Sequence, residues 1–115
     1  MMKPWRITWE DTQDQGYPEH LIGTKMLRYV ANYVAARSPD REFLWTKEVY
    51  PLVAAHFLRD DPRTVERNIR TAIAAADGKD SARTVVQAIY ELAAVGWERR
   101  QEQGVDIYEE EEVWI

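Results

Sequence analysis

The stretch RDDPRTVERNIRTAIAAA, residues 59–76, carries four arginines (Arg59, Arg63, Arg67 and Arg70) in a chain with 15 Lys and Arg against 20 Asp and Glu. Its opening residues punctuate a helix start. Asp61 offers a carboxylate to the orphan backbone N–H groups, and Pro62 suits the first helical position, where no N–H bond is needed. At about 100° per residue, Val65, Ile69, Ala72, Ile73 and Ala76 share one apolar sector. Arg63, Arg67, Arg70, Thr71 and Ala74 fall opposite, with Thr64 beside them and Glu66 at the flank. Such a helix buries one side and holds guanidiniums and hydroxyls out on the other. The sequence ADGKD, with Gly78, ends it.

The segment before it has matching logic. LWTKEVYPLVAAHFL reads as a helix over Leu44–Leu58, with Pro51 in an awkward place. Inside a helix a proline removes a donor and clashes with the previous turn, costing roughly 3 kcal/mol. The segment therefore kinks or restarts at Pro51. Val53, Ala54 and Phe57, a tight polar link, then Val65 and Ile69 form the packing pattern of a helix-turn-helix, with the small residue allowing close approach. In that motif the second helix enters the DNA major groove and its N-terminal residues meet base edges, where arginine can bond guanine bidentately. Other cations and hydroxyls hold phosphates. The competing reading is an ordinary solvated face, with Glu66 and Arg70 as a surface ion pair.

Elsewhere, WRITWE alternates and is expected to be a short strand, Trp5–Glu10. A helix is expected from Glu19 to about Arg37, with Ile22, Met26, Tyr29, Val30, Tyr33 and Val34 on one face. Another runs from just after Asp80 or Ser81 to about Arg100, with Val85, Val86, Ile89, Tyr90, Ala93 and Trp97 facing inward. GVDIYEEEEVWI offers a second strand that would pair with the first. The expected fold class is all-α, a compact helical bundle with an embedded helix-turn-helix and an optional terminal β-ribbon.

Composition narrows the function. A length of 115 residues gives one domain, 1–115. There is no cysteine, hence no disulfide and no thiolate chemistry. No apolar run approaches a membrane span, and MMKPWRITWEDTQ lacks a signal-peptide core, so a cytoplasmic location is expected. The formal charge of −5 lies entirely in residues 97–115, with two arginines against seven acids. Residues 1–96 are balanced. His20 and His56 are far apart in sequence and read as structural. No nucleophile–base pair, phosphate loop or metal motif is visible, so no catalytic residue, metal, cofactor or small-molecule substrate is expected. The five tryptophans, Trp5, Trp9, Trp45, Trp97 and Trp114, are expected to fill the core, or else to mark a dimer surface.

Three motifs together resemble one family, the DNA-binding effector domain of the stage-zero sporulation transcription factor, a response regulator of endospore-forming bacteria. They are GYPEHLIGTKMLR (Gly16, Pro18, His20, Gly23, Leu27, Arg28), TKEVYPLVAAHF (Thr46, Lys47, Tyr50, Pro51, Ala54, Phe57) and TVERNIRTAI (Val65, Glu66, Arg67, Ile69, Arg70, Ala72, Ile73). They span residues 16–76. Residues 77–115 read as an extra helix and acidic tail of the chain's own. The resemblance implies a bundle of about six helices in which the third motif is the recognition helix and Glu66 and Arg67 read bases. It also implies that Pro51 belongs to the family pattern. The expected base-reading set is Arg63, Thr64, Glu66 and Arg67. Thr46, Lys47, Arg70 and Thr71 are expected at phosphates or flanks.

Departures matter. Thr64 stands where the family has a basic residue, and Thr71 where it has a histidine, which puts the family's DNA box in doubt. No phosphoacceptor receiver is expected in this chain. The reading is therefore a bacterial regulator without a receiver, binding double-stranded DNA in a sequence-specific way, as a homodimer on two half-sites. The alternative is a protein-interaction module of the same fold that binds a partner regulator.

Overall fold

The computed structural model describes residues 4–105 and Tyr108. Five α-helices run in order: α1 (Trp9–Asp14), α2 (Ile22–Ala35), α3 (Tyr50–His56), α4 (Arg63–Asp77) and α5 (Val85–Glu102), with a π-helical turn, Trp45–Val49, leading into α3. Helix α2 lies at the centre, packed against α4 on one side and α5 on the other. Met26, Leu27, Val30 and Val34 of α2, Val65 and Ile69 of α4, and Ile89 and Leu92 of α5 are fully buried between them. The all-α expectation holds, and among the described residues there is no strand.

The strand expected at Trp5–Glu10 is instead a short extended lead followed by α1. The Asp11 carboxylate reaches back to the Thr8 N–H at 2.8 Å and accepts from the Thr8 hydroxyl at 3.2 Å, which starts a helix at Trp9. The extended backbone finds a partner in a side chain rather than a second strand. Ile7 N–H donates to Asn32 Oδ1 at 2.8 Å, and Asn32 Nδ2 donates to Ile7 O at 3.0 Å. One amide thus satisfies both backbone groups of a buried residue, as a strand neighbour would. Of the second expected strand, Gly104, Val105 and Tyr108 are non-strand, and the rest lies outside the described residues.

Pro51 is resolved by a restart. Val49 N–H bonds to Leu44 O at 3.1 Å, and the Tyr50 N–H reaches Trp45 O, both five residues back. The wide turn relieves the crowding that a proline ring imposes on the preceding coil, and α3 then begins with Pro51 in its first turn, where its missing donor is not needed. Helix α5 begins at a full capping box. Gln87 N–H donates to Thr84 Oγ1 at 3.0 Å, and Thr84 N–H donates to Gln87 Oε1 at 2.8 Å. Of its expected inward face, Val85, Ile89 and Ala93 are buried while Val86, Tyr90 and Trp97 are half-buried, and Ala88, Leu92 and Gly96 are buried as well.

Two glycines set how closely α2 meets its neighbours. A Cβ on Gly23 would lie 1.8 Å from Asn68 O, so α2 and α4 touch backbone to backbone. A Cβ on Gly96 would lie 2.8 Å from that of Ala35, where α5 crosses the end of α2. The N-terminal lead is pinned to α5 by a bidentate pair, Arg99 Nη2 to Asp11 Oδ1 at 2.6 Å and Nη1 to Oδ2 at 2.8 Å. Burial pushes the Asp11 carboxyl up, but Arg99 and Thr8 outweigh it and hold it at about 2.

Gly23→Ala is expected to destabilise the domain by about 3 kcal/mol, because backbone rather than a flexible side chain must give way. Thermal unfolding reads this as a large fall in Tm, and an unchanged Tm would refute the close crossing. Asp11, with its lowered pKa, contributes about 2 kcal/mol that is present above pH ~4 and lost as pH falls through about 2. The stability gap between wild type and Asp11→Asn, followed by urea unfolding, should be constant near neutrality and narrow steadily below pH ~4.

Candidate nucleic-acid interface

The link between α3 and α4 aims everything that follows. Helix α3 closes with Leu58 N–H to Ala55 O at 3.1 Å and Arg59 N–H to Ala54 O at 2.8 Å, the paired bonds of a Schellman motif. That motif needs a left-handed residue at its corner. Here it is Leu58, at φ +55° and 91% exposed. Ala54 is buried, so α3 seats closely on its neighbours while the chain reverses.

Helix α4 begins one residue later than the cap chemistry suggests, with Asp61 acting as the cap. Its Oδ1 accepts the Arg63 N–H at 2.9 Å. The same carboxylate receives Arg63 Nε at 3.0 and 3.2 Å and Arg63 Nη2 at 2.9 Å. That contact with Arg63 holds the Asp61 carboxyl below its ordinary range. Val65, Ile69, Ala72 and Ile73 are buried as the periodicity requires, which turns the arginine face outward.

An open groove runs along that face. Its lining includes Arg63, Glu66, Arg67, Arg70 and Thr71 from α4, and Thr46 and Tyr50 from the start of the α3 segment. Six of the eight sequence-expected residues thus meet in one depression. The other two do not line it. Thr64 is half-buried with its hydroxyl donated to Asp61 O at 2.8 Å, and Lys47 is exposed on the π-helical turn.

The guanidiniums differ in their commitments. Arg70 is tied to Glu66 one turn earlier, with Nε to Oε1 at 3.1 Å. Arg63 is tied to Asp61. Arg67 is exposed and makes no ion pair among the described residues. Thr71 donates its hydroxyl to Arg67 O at 3.1 Å. Two weak surface pairs therefore flank one arginine that, among the described residues, forms no ion pair of its own.

Sequence reasoning missed the floor and far end of the groove. Tyr50 is buried at 7% exposure, and burial followed by the nearby Glu66 carboxylate pushes its hydroxyl up to about 12 against the pull of Arg70. It remains a neutral donor at any working pH. Gly78, Lys79, Ser81 and Arg83 close the other end. Gly78, at φ +100°, ends α4, and Arg83 Nη2 bonds Asp77 at 2.9 Å while its Nη1 bonds Glu91 at 2.9 Å. The signal for Tyr50 was present, since it lies one turn after Thr46. The loop residues had none, because their placement follows from how α5 folds back. His56 is exposed and stacks on Tyr29 at 4.1 Å between ring centroids, and His20 is exposed at the approach to α2, both outside the groove.

The family model described as "Sporulation initiation factor Spo0A C terminal" matches residues 10–104. The match is wider than the 16–76 span of the three motifs and takes in both α1 and α5. No curated protein and no solved structure matches the chain.

Replacing Leu58 by glycine removes a left-handed penalty of about 1–2 kcal/mol, offset by glycine's greater chain entropy of roughly 0.5–1. Leu58→Gly should therefore raise Tm by a few degrees without altering the arginine face, since Leu58 buries almost nothing. A lower Tm in a thermal melt would show that the corner is held by contacts other than the backbone motif.

Proposed function

Because this chain belongs to the sporulation initiation factor C-terminal family, we propose that it binds double-stranded DNA in a sequence-specific way and regulates transcription, with α4 as the recognition helix. One observation carries the reading. Arg67 stands exposed and, among the described residues, makes no ion pair, in the groove face opposite the buried Val65–Ile69–Ile73 stripe. An unpaired guanidinium can give all its donors to a guanine edge at no cost in broken ion pairs. Glu66, on the same face, supplies an acceptor for a cytosine amino group. Arg70 and Thr71 follow along the helix toward the flank. Thr46 and Lys47 lie where the turn before α3 meets the groove rim, and they serve as phosphate contacts.

Thr64 is a weaker member of the base-reading set, since its hydroxyl is already donated internally. The working form is a cytoplasmic homodimer with one recognition helix per half-site, as helix-turn-helix proteins commonly are. Among the described residues no helix is long and apolar enough to cross a membrane.

The test begins with selection of duplexes from a randomised pool, followed by fluorescence anisotropy on the selected and a scrambled duplex across a salt series. Wild type should prefer the selected duplex, with affinity falling as salt rises. Arg67→Ala should lose about 1–3 kcal/mol of discrimination at one base pair. If no duplex is enriched and none binds at low salt, the chain is a protein-interaction module and not a DNA reader.

A further inference from the structure

Asp61 does more than cap a helix. Its carboxylate accepts the Arg63 backbone N–H at 2.9 Å and also takes the Nε–Nη2 edge of the Arg63 guanidinium, at 3.0 and 2.9 Å. The Arg63 side chain is 91% exposed and lines the groove at the start of α4, with the Asp61 carboxylate beside it. Of the five donors on a guanidinium, Asp61 engages those on Nε and one side of Nη2. The two Nη1 hydrogens and the outer Nη2 hydrogen remain, pointing away from the carboxylate as a fork.

This geometry separates two roles that an arginine could play. A phosphate would meet a pair whose charges nearly cancel, and it would face the Asp61 carboxylate beside its target. Its long-range attraction is therefore weak. A guanine edge carries no net charge. It therefore loses less to Asp61 than a phosphate does, and its O6 and N7 match the free fork. Holding the fork in place also removes rotamer freedom that would otherwise be lost on binding. We propose that Asp61 is a specificity-positioning residue that orients Arg63 as a guanine reader and withholds it from phosphates. The proposal rests on the DNA-binding reading above.

The experiment uses the full chain and the selected duplex, a scrambled duplex, and selected duplexes carrying each single base-pair change. Asp61→Asn keeps the cap, since asparagine accepts the Arg63 N–H as well as aspartate does, but it releases the guanidinium. Tm should stay at the wild-type value. Binding to the scrambled duplex should tighten, and its log–log salt slope should steepen by about one as Arg63 becomes a free cation. Discrimination at one base pair should fall about fivefold. In an Arg63→Ala background, Asp61→Asn should change none of these.

Parallel tightening on every duplex with all base preferences intact would overturn the proposal, leaving Asp61 as a repulsive cap. So would effects that persist without Arg63. If wild type binds no duplex at low salt, the DNA reading falls and this inference falls with it. If wild type discriminates but Asp61→Asn does so equally well, only this inference falls.

Discussion

Between Gly23 and Asn68 two helix backbones meet with no side chain between them, since a Cβ at position 23 would sit 1.8 Å from a carbonyl oxygen. That contact fixes the depth and rotation of α4 against α2. Once Val65 and Ile69 are driven into the core on one side of α4, Arg63, Arg67 and Arg70 have only the opposite side left to them. The outward face is thus a consequence of the inward fit. Interiors packed to crystal-like density do not yield by small increments, so the arginine face inherits the rigidity of the core beneath it. The Schellman corner at Leu58 completes the arrangement by setting the angle at which α3 hands the chain to α4.

The groove is chemically more differentiated than its composition suggests. An exposed ion pair contributes at most about 1 kcal/mol, so neither Arg63–Asp61 nor Arg70–Glu66 matters much to folding. Their effect is on availability. Arg63 is held by a carboxylate two residues before it and Arg70 by one four residues before it, while Arg67 between them has neither. Three arginines on one helix face therefore present two electrostatic states to an approaching ligand, paired at Arg63 and Arg70 and, among the described residues, unpaired at Arg67. The neutral Tyr50 hydroxyl on the floor adds a donor that carries no charge and does not titrate near neutrality.

What the sequence made legible follows from where the determinants are local. The restart at Pro51, the cap at Asp61 and the burial of Val65, Ile69, Ala72 and Ile73 are set by residues within a turn or two, and all appear in the structure. The three-motif resemblance, carried by residues such as Gly23 and Pro51, brought the family into view, and the family match extends it to 10–104. The misreadings have nonlocal causes. Trp5–Glu10 has strand-like alternation, yet its backbone partner is the side chain of Asn32, 25 residues away, and Asp11 caps a helix where a strand would have continued. On α5 the aromatic stripe of Tyr90 and Trp97 looked like the buried face. The structure buries Val85, Ile89 and Ala93 of that face but leaves Val86, Tyr90 and Trp97 half-buried, and it buries Ala88, Leu92 and Gly96 beside them, with α5 meeting the end of α2 closely at Gly96. Lys79, Ser81 and Arg83 carried no sequence signal, since their place beside the groove depends on the fold-back into α5.

The described acids near the cationic face differ from those at the far end of α5 in how strongly they act on it. Of the exposed acids of α5, Glu98 and Glu102 lie at the helix end far from Arg83, which marks the groove's limit, while Glu91 is paired with Arg83 itself. Eighteen residues at 1.5 Å per residue separate the two ends of α5 by about 27 Å. The screening length at physiological salt is about 8 Å, so charges at that separation scarcely act on one another through solvent. Among the nearer acids, Asp61, Glu66 and Asp77 are each held by an arginine within hydrogen-bonding distance. Among the described residues, what a polyanion would meet at close range on this face is therefore Arg67 with its paired neighbours Arg63 and Arg70.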